Sequence, residues 1–162
     1  MKKVVSLCAA LAAVVSAAAE VPVFPVVKST TPVVSAALKD EGDHLLFLFR
    51  LAPDAGEKFA VSNVYVYVDN DVKTGRKGIG NEYFIDVPKG MVSGYAADGK
   101  GTLHRKAVTA SRRGEWYILS VDKKSTAANP FTECEIVFAA GGKKDRIKMR
   151  GNAPAKADFP ER

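Results

Sequence analysis

Along most of this chain, apolar and polar residues alternate with a period of two. Val64, Val66 and Val68 alternate with Tyr65, Tyr67 and Asp69, and Leu45, Phe47, Phe49 and Leu51 form a second apolar series. That period belongs to strands with one buried face. Such segments recur at roughly 33–40, 44–51, 61–69, 82–87, 91–97, 102–108, 115–121, 132–138 and 145–150. Turn-forming clusters divide them, among them Asp40-Glu41-Gly42-Asp43, Pro53-Asp54-Ala55-Gly56, Arg113-Gly114 and Gly141-Gly142. No amphipathic helical pattern exceeds two turns. The pattern predicts an all-β fold: an antiparallel two-sheet β-sandwich, jelly-roll or immunoglobulin-like, of about nine strands. Residues 21–31 read as a proline-punctuated lead-in. The Pro- and Ala-rich tail from Gly151 to Arg162 either lies along the sandwich or frays.

The amino terminus changes the compartment expected. Met1-Lys2-Lys3 is followed by an apolar run from Val4 to Val15 and by Ser16-Ala17-Ala18-Ala19, the layout of a secretory signal peptide. Cleavage is expected after Ala19, leaving residues 20–162 as one domain in the periplasm or outside the cell. The apolar run is too short and alanine-rich for a membrane span, so no stable span is expected after processing. A lipoprotein box at Cys8 fails because Leu7 stands where a small residue is required. Only Cys134 then survives, which precludes an intramolecular disulfide, and its strand neighbours Ile136 and Phe138 mark it as a buried, inert thiol. The full chain carries +6, of which Lys2 and Lys3 supply two. The remaining cations are spread out except around Arg146, Lys148 and Arg150, which alternate with Ile147 and Met149 as the solvated face of a strand. Nucleic acid is not an expected partner, an acidic glycan or envelope surface is a better one, and the mature protein is expected to be monomeric.

Candidate chemistry concentrates between residues 64 and 87. A strand ends in Asp69-Asn70-Asp71-Val72-Lys73-Thr74-Gly75, and Asn81-Glu82 opens the next. If the two strands pair, Asp69, Asp71 and Glu82 converge at the mouth of a long hairpin, an oxygen-rich arrangement suited to a hard cation such as calcium. An EF-hand fails on spacing: counted from Asp69, Thr74 falls where glycine is needed and Gly80 where the final glutamate is needed. The other reading is that Asp69 and Asp71 cap a polar turn.

Tyr67-Val68-Asp69-Asn70-Asp71-Val72-Lys73-Thr74-Gly75, followed by Ile79-Gly80-Asn81-Glu82-Tyr83-Phe84-Ile85, resembles the calcium-loop signature of carbohydrate-binding-module family 9-like and DOMON-like β-sandwiches. Asp69, Asp71 and Thr74-Gly75 match it directly. Asn81-Glu82 stands where those domains have a small residue and aspartate. Shorter echoes lie at 39–49, at Glu115-Trp116-Tyr117-Ile118-Leu119 and at Ala157-Asp158-Phe159-Pro160-Glu161. The resemblance implies calcium held by Asp69, Asp71 and Glu82, with Thr74 and Asn81 completing the shell.

No catalytic constellation emerges. His44 and His104 fall on separate strands without zinc spacing, serine chemistry lacks a nucleophile elbow, and Glu133 and Glu135 point the same way from one strand. Haem ligation by Met91 or Met149 with His104 has no support beyond the presence of the residues. Sugar binding needs ring platforms, for which Trp116, Tyr67 and Tyr65 are the candidates, with core packing as the competing role of each. The expected function is a non-catalytic exported module with a structural calcium loop that binds carbohydrate. The alternative is an envelope interaction subunit without sugar affinity, docking through Arg146, Lys148 and Arg150.

Overall fold

A computed structural model describes residues 18–68, 73, 75–76, 79–96, 98–126, 134–152 and 154–160. Twelve strands occupy them: β1 (Ala18–Pro25), β2 (Val33–Glu41), β3 (His44–Leu51), β4 (Val61–Tyr67), β5 (Tyr83–Asp86), β6 (Met91–Tyr95), β7 (Gly101–Arg105), β8 (Val108–Arg113), β9 (Trp116–Asp122), β10 (Glu135–Ala140), β11 (Lys143–Lys148) and β12 (Ala155–Pro160). A single 3-10 turn, Lys123–Thr126, follows β9. The strands form two antiparallel six-stranded sheets, ordered β12-β1-β2-β3-β9-β8 and β11-β10-β4-β5-β6-β7. The expected two-sheet sandwich is therefore what the chain builds, with three strands more than the alternation predicts.

All nine anticipated segments are strands; the additions are β1, β8 and β12. Each evades a periodicity reading for a physical reason. In β8 only Val108 is buried, because this edge strand exposes nearly all its length. The strands β1 and β12 carry prolines and alanines, poor strand formers in isolation. They are held by pairing with each other, from Ala18↔Pro160 to Val23↔Ala155. Residues 1–17, most of the predicted leader, lie outside the described residues. Glu20 to Val23, beyond the predicted cleavage point, retain their register against Asp158 to Ala155.

Between the sheets lies the main core. Leu45, Phe47, Phe49 and Leu51 of β3 face Val64 and Val66 of β4, Ile85, Ile136, Phe138 and Ile147. The Phe49 and Phe138 rings, 5.0 Å apart and tilted, join the two layers. A second cluster lies on the opposite side of the first sheet: Val21, Val23, Leu46, Leu48, Trp116, Ile118 and Phe159. Four strand spacings separate β12 from β9 in sheet order, about 19 Å if the sheet were flat. The Trp116 and Phe159 rings are nevertheless 5.6 Å apart. The β1-β12 ribbon has folded back over the outer face of the first sheet. That cover explains why β3 is apolar on both sides, as in strands buried on both faces.

One buried carboxylate pins the other sheet to this arrangement. Asp145 of β11, only 5% exposed, accepts the backbone N–H groups of Thr30 and Thr31 at 2.8 Å each. It also accepts the hydroxyls of Thr31 at 2.6 Å, Thr30 at 2.8 Å and Ser29 at 3.2 Å. The β1-β2 connection is thereby tied to β11. Because side chains alternate, an inward Asp145 requires Lys144 and Arg146 to point outward.

Candidate functional site

The predicted hairpin forms, with Asn63↔Asp86, Val64↔Ile85, Tyr65↔Phe84 and Val66↔Tyr83 in register. Of the predicted metal ligands, Asp69, Asp71 and Thr74 lie outside the described residues, whereas Asn81 and Glu82 are placed. One Glu82 carboxylate oxygen accepts the Val68 N–H at 2.6 Å, and the Val68 carbonyl accepts from Arg150 Nη2. Both backbone polar groups of Val68, where the chain enters the loop, are therefore anchored. Glu82 is first of all a clamp on the loop.

Asn81 is fully buried. Its Nδ2 donates to the Tyr83 carbonyl at 2.9 Å, while its Oδ1 is buried without a hydrogen-bond partner among the described residues. Its backbone carbonyl accepts the Arg76 N–H at 2.9 Å. Gly75 has φ +63°, and a Cβ there would sit 2.5 Å from the Asn81 carbonyl oxygen. The loop is thus drawn onto the start of β5 so closely that only glycine fits. A desolvated amide oxygen without a donor is costly to leave alone and is a ligand type that calcium accepts. Among the described residues, no group of three or more His, Cys, Asp or Glu side chains could hold a metal.

Tyr65 and Tyr67 project from the outer face of the second sheet. Register extends that face into rows: Arg146, Val137, Tyr65, Phe84, Ser93 and Leu103 stand side by side from β11 to β7. Tyr65 and Phe84 contact each other with centroids 5.0 Å apart, and Lys144 Nζ lies 5.5 Å from the Tyr65 ring centre. The Tyr67 hydroxyl is held above the usual tyrosine range chiefly by burial, which the nearby Arg146 charge opposes. Both tyrosines and Phe84 remain half-exposed, and Leu103 is 49% exposed. No described strand covers this face, in contrast to the first sheet.

Trp116 departs from its predicted role. It is 1% exposed, packs edge-on against Phe159, and donates Nε1–H to the Asp158 carbonyl at 3.0 Å. The β1-β12 ribbon removes its ring from any ligand. Phe84 is the exposed ring beside Tyr65 that the periodicity alone does not single out, and its place opposite Tyr65 across the hairpin is the available signal.

The remaining candidates fall apart spatially. His44 is exposed at the start of β3; His104, half-buried, borders a cavity of about 280 Å³ with Tyr83, Thr102, Lys124 and Ser125. Among the described residues no carboxylate lines that cavity. Glu133 lies outside the described residues, and Glu135 pairs with Arg146 at 3.0 Å. Cys134 is buried beside Met149, with burial raising its pKa to about 12. Among the described residues no helix is long and apolar enough to cross a membrane.

Compared with known proteins, the chain matches no family model, no curated protein and no solved structure.

Proposed function

We propose that this protein is an exported, non-catalytic carbohydrate-binding β-sandwich whose Asp69–Gly75 loop is held by a structural calcium ion. The resemblance to carbohydrate-binding-module family 9-like and DOMON-like domains motivates the class. The observation that carries the sugar reading is the uncovered row on the second sheet, where Tyr65 and Phe84 touch and Tyr67 stands beside them. Apolar sugar faces stack on such rings while neighbouring polar groups take the hydroxyls. Phe84 thereby replaces Trp116 in the ligand set. For the metal, the partnerless Asn81 oxygen is the supporting feature, with Asp69, Asp71, Thr74 and Glu82 as further oxygen donors. Calcium would draw together a loop that otherwise sets carboxylates against each other.

Two assays test this. A glycan array probed with the purified protein should show binding that Tyr65→Ala and Tyr67→Ala abolish; an array without any bound glycan rejects the sugar reading. Calcium at about 100 times its dissociation constant should stabilise the fold by about 2.7 kcal/mol. That shift should vanish in Asp71→Ala and shrink in Asn81→Ala, and a melting temperature indifferent to millimolar calcium rejects the metal.

The second reading, an envelope interaction subunit, draws on one feature. The strand β7 ends the second sheet with Leu103 exposed, an edge on which another chain can add a strand.

A further inference from the structure

Among the described residues, charge on the open face of the second sheet is one-sided. Its carboxylates are engaged: Glu135 with Arg146 at 3.0 Å, Asp86 with Lys89 at 2.8 Å, and Glu82 with the Val68 N–H. The Glu135 and Asp86 side chains are also only 12% and 14% exposed. Its cations, by contrast, stand at the rim. Lys144, Arg146 and Lys148 are exposed along β11, and Arg105 is exposed on β7 across the sheet. Lys144, Lys148 and Arg105 have no carboxylate partner among the described residues. The aromatic row lies between these two cationic margins, and the six strands span about 24 Å at the usual spacing.

From this geometry we infer that the ligand of this face is an anionic polysaccharide, lying across the strands with its rings on Tyr65 and Phe84 and its acidic groups against Lys144, Arg146 and Lys148. The inference rests on the carbohydrate reading above. Rings select a chain with apolar sugar faces, and the exposed Lys144 and Lys148, without carboxylate partners among the described residues, favour carboxylate or sulfate groups over neutral sugars. Lys144 serves both ends of the contact, since its ammonium already lies over the Tyr65 ring.

Affinity gel electrophoresis of the full chain at low ionic strength tests the inference with polygalacturonate, alginate and chondroitin sulfate as anionic probes. Hydroxyethylcellulose serves as the neutral probe and polyglutamate as a polyanion without rings. At least one anionic glycan should retard the protein more strongly than the neutral polymer. Retardation should weaken as salt shortens the screening length from about 10 Å at 0.1 M to about 3 Å at 1 M. The Lys144→Glu/Lys148→Glu pair, being exposed, leaves folding intact and should weaken anionic binding about tenfold or more. Equal binding of hydroxyethylcellulose, unaffected by the charge reversal, overturns the acidic preference and leaves the carbohydrate reading standing. Retardation by no glycan overturns both. Polyglutamate binding as tight as the best glycan also overturns the inference, because the face would then be a general polyanion surface.

Discussion

Replacing Asp145 with alanine should be among the most damaging single changes in this fold. The carboxylate is nearly inaccessible to water and accepts five donors from Ser29, Thr30 and Thr31 at 2.6 to 3.2 Å. A hydrogen bond to a charged acceptor contributes about 1.5–3 kcal/mol, and bonds sharing one acceptor do not add. Alanine also strands two backbone N–H groups, at about 1–3 kcal/mol each. A net loss of about 4 kcal/mol is expected, and at this chain length about 8–16 °C in melting temperature. Asparagine keeps the shape but turns one acceptor into a donor facing donors, so about half that loss should remain.

The pH dependence follows from the same bonds. Burial alone would raise the Asp145 pKa, but the Thr30 and Thr31 hydrogen bonds outweigh it and hold the group below the ordinary carboxylate value. A depressed folded-state pKa contributes stability that is full above the unfolded value, about 3.9, and is lost as pH falls through the folded value. The gap between parent and Asp145→Asn should therefore be constant near neutrality and close below about pH 4. Thermal unfolding by circular dichroism from pH 2 to 8 reads both quantities. An alanine variant melting within 2 °C of the parent, or a gap that does not close in acid, refutes the reasoning.

Further predictions follow from the loop and the cores. Gly75→Ala forces a Cβ to within 2.5 Å of the Asn81 carbonyl oxygen at positive φ, so it should cost about 1–3 kcal/mol in denaturant titration. An unchanged midpoint would mean that the loop does not close on β5. Trp116→Phe should lose about 1 kcal/mol through the Asp158 hydrogen bond while leaving glycan binding unaltered; binding lost with a retained fold would return Trp116 to the ligand site. Cys134, buried with its pKa at about 12, should resist iodoacetamide in the native protein and react in urea. Rapid native alkylation at neutral pH contradicts its placement.

Much of the sandwich is legible in the sequence because burial on one face leaves a period of two, as in Val64 and Val66 against Tyr65 and Tyr67. The same logic conceals the third layer. Leu46 and Leu48 interrupt the alternation in β3, and an unbroken apolar run signals cover on both sides without naming what covers it. That information lies in the pairing of β1 with β12, about 140 residues away along the chain, which no local pattern encodes. The burial of Trp116 beneath that ribbon is hidden for the same reason. The hairpin around the loop is legible because its strands are local and aromatic, yet the clamp on Val68 depends on Arg150, whose arrival from beyond β11 is a tertiary event. Phe84 required knowing that Tyr65 stands opposite it.

The most direct test of the glycan account is an NMR titration of the isotope-labelled protein with an oligosaccharide fragment of whichever anionic glycan binds. The account predicts amide shifts grouped at Tyr65, Tyr67, Phe84, Val137 and residues 144–148, with Trp116 and the β1-β12 ribbon silent. Shifts concentrated on that ribbon, or in the cavity beside His104 and Lys124, would contradict it.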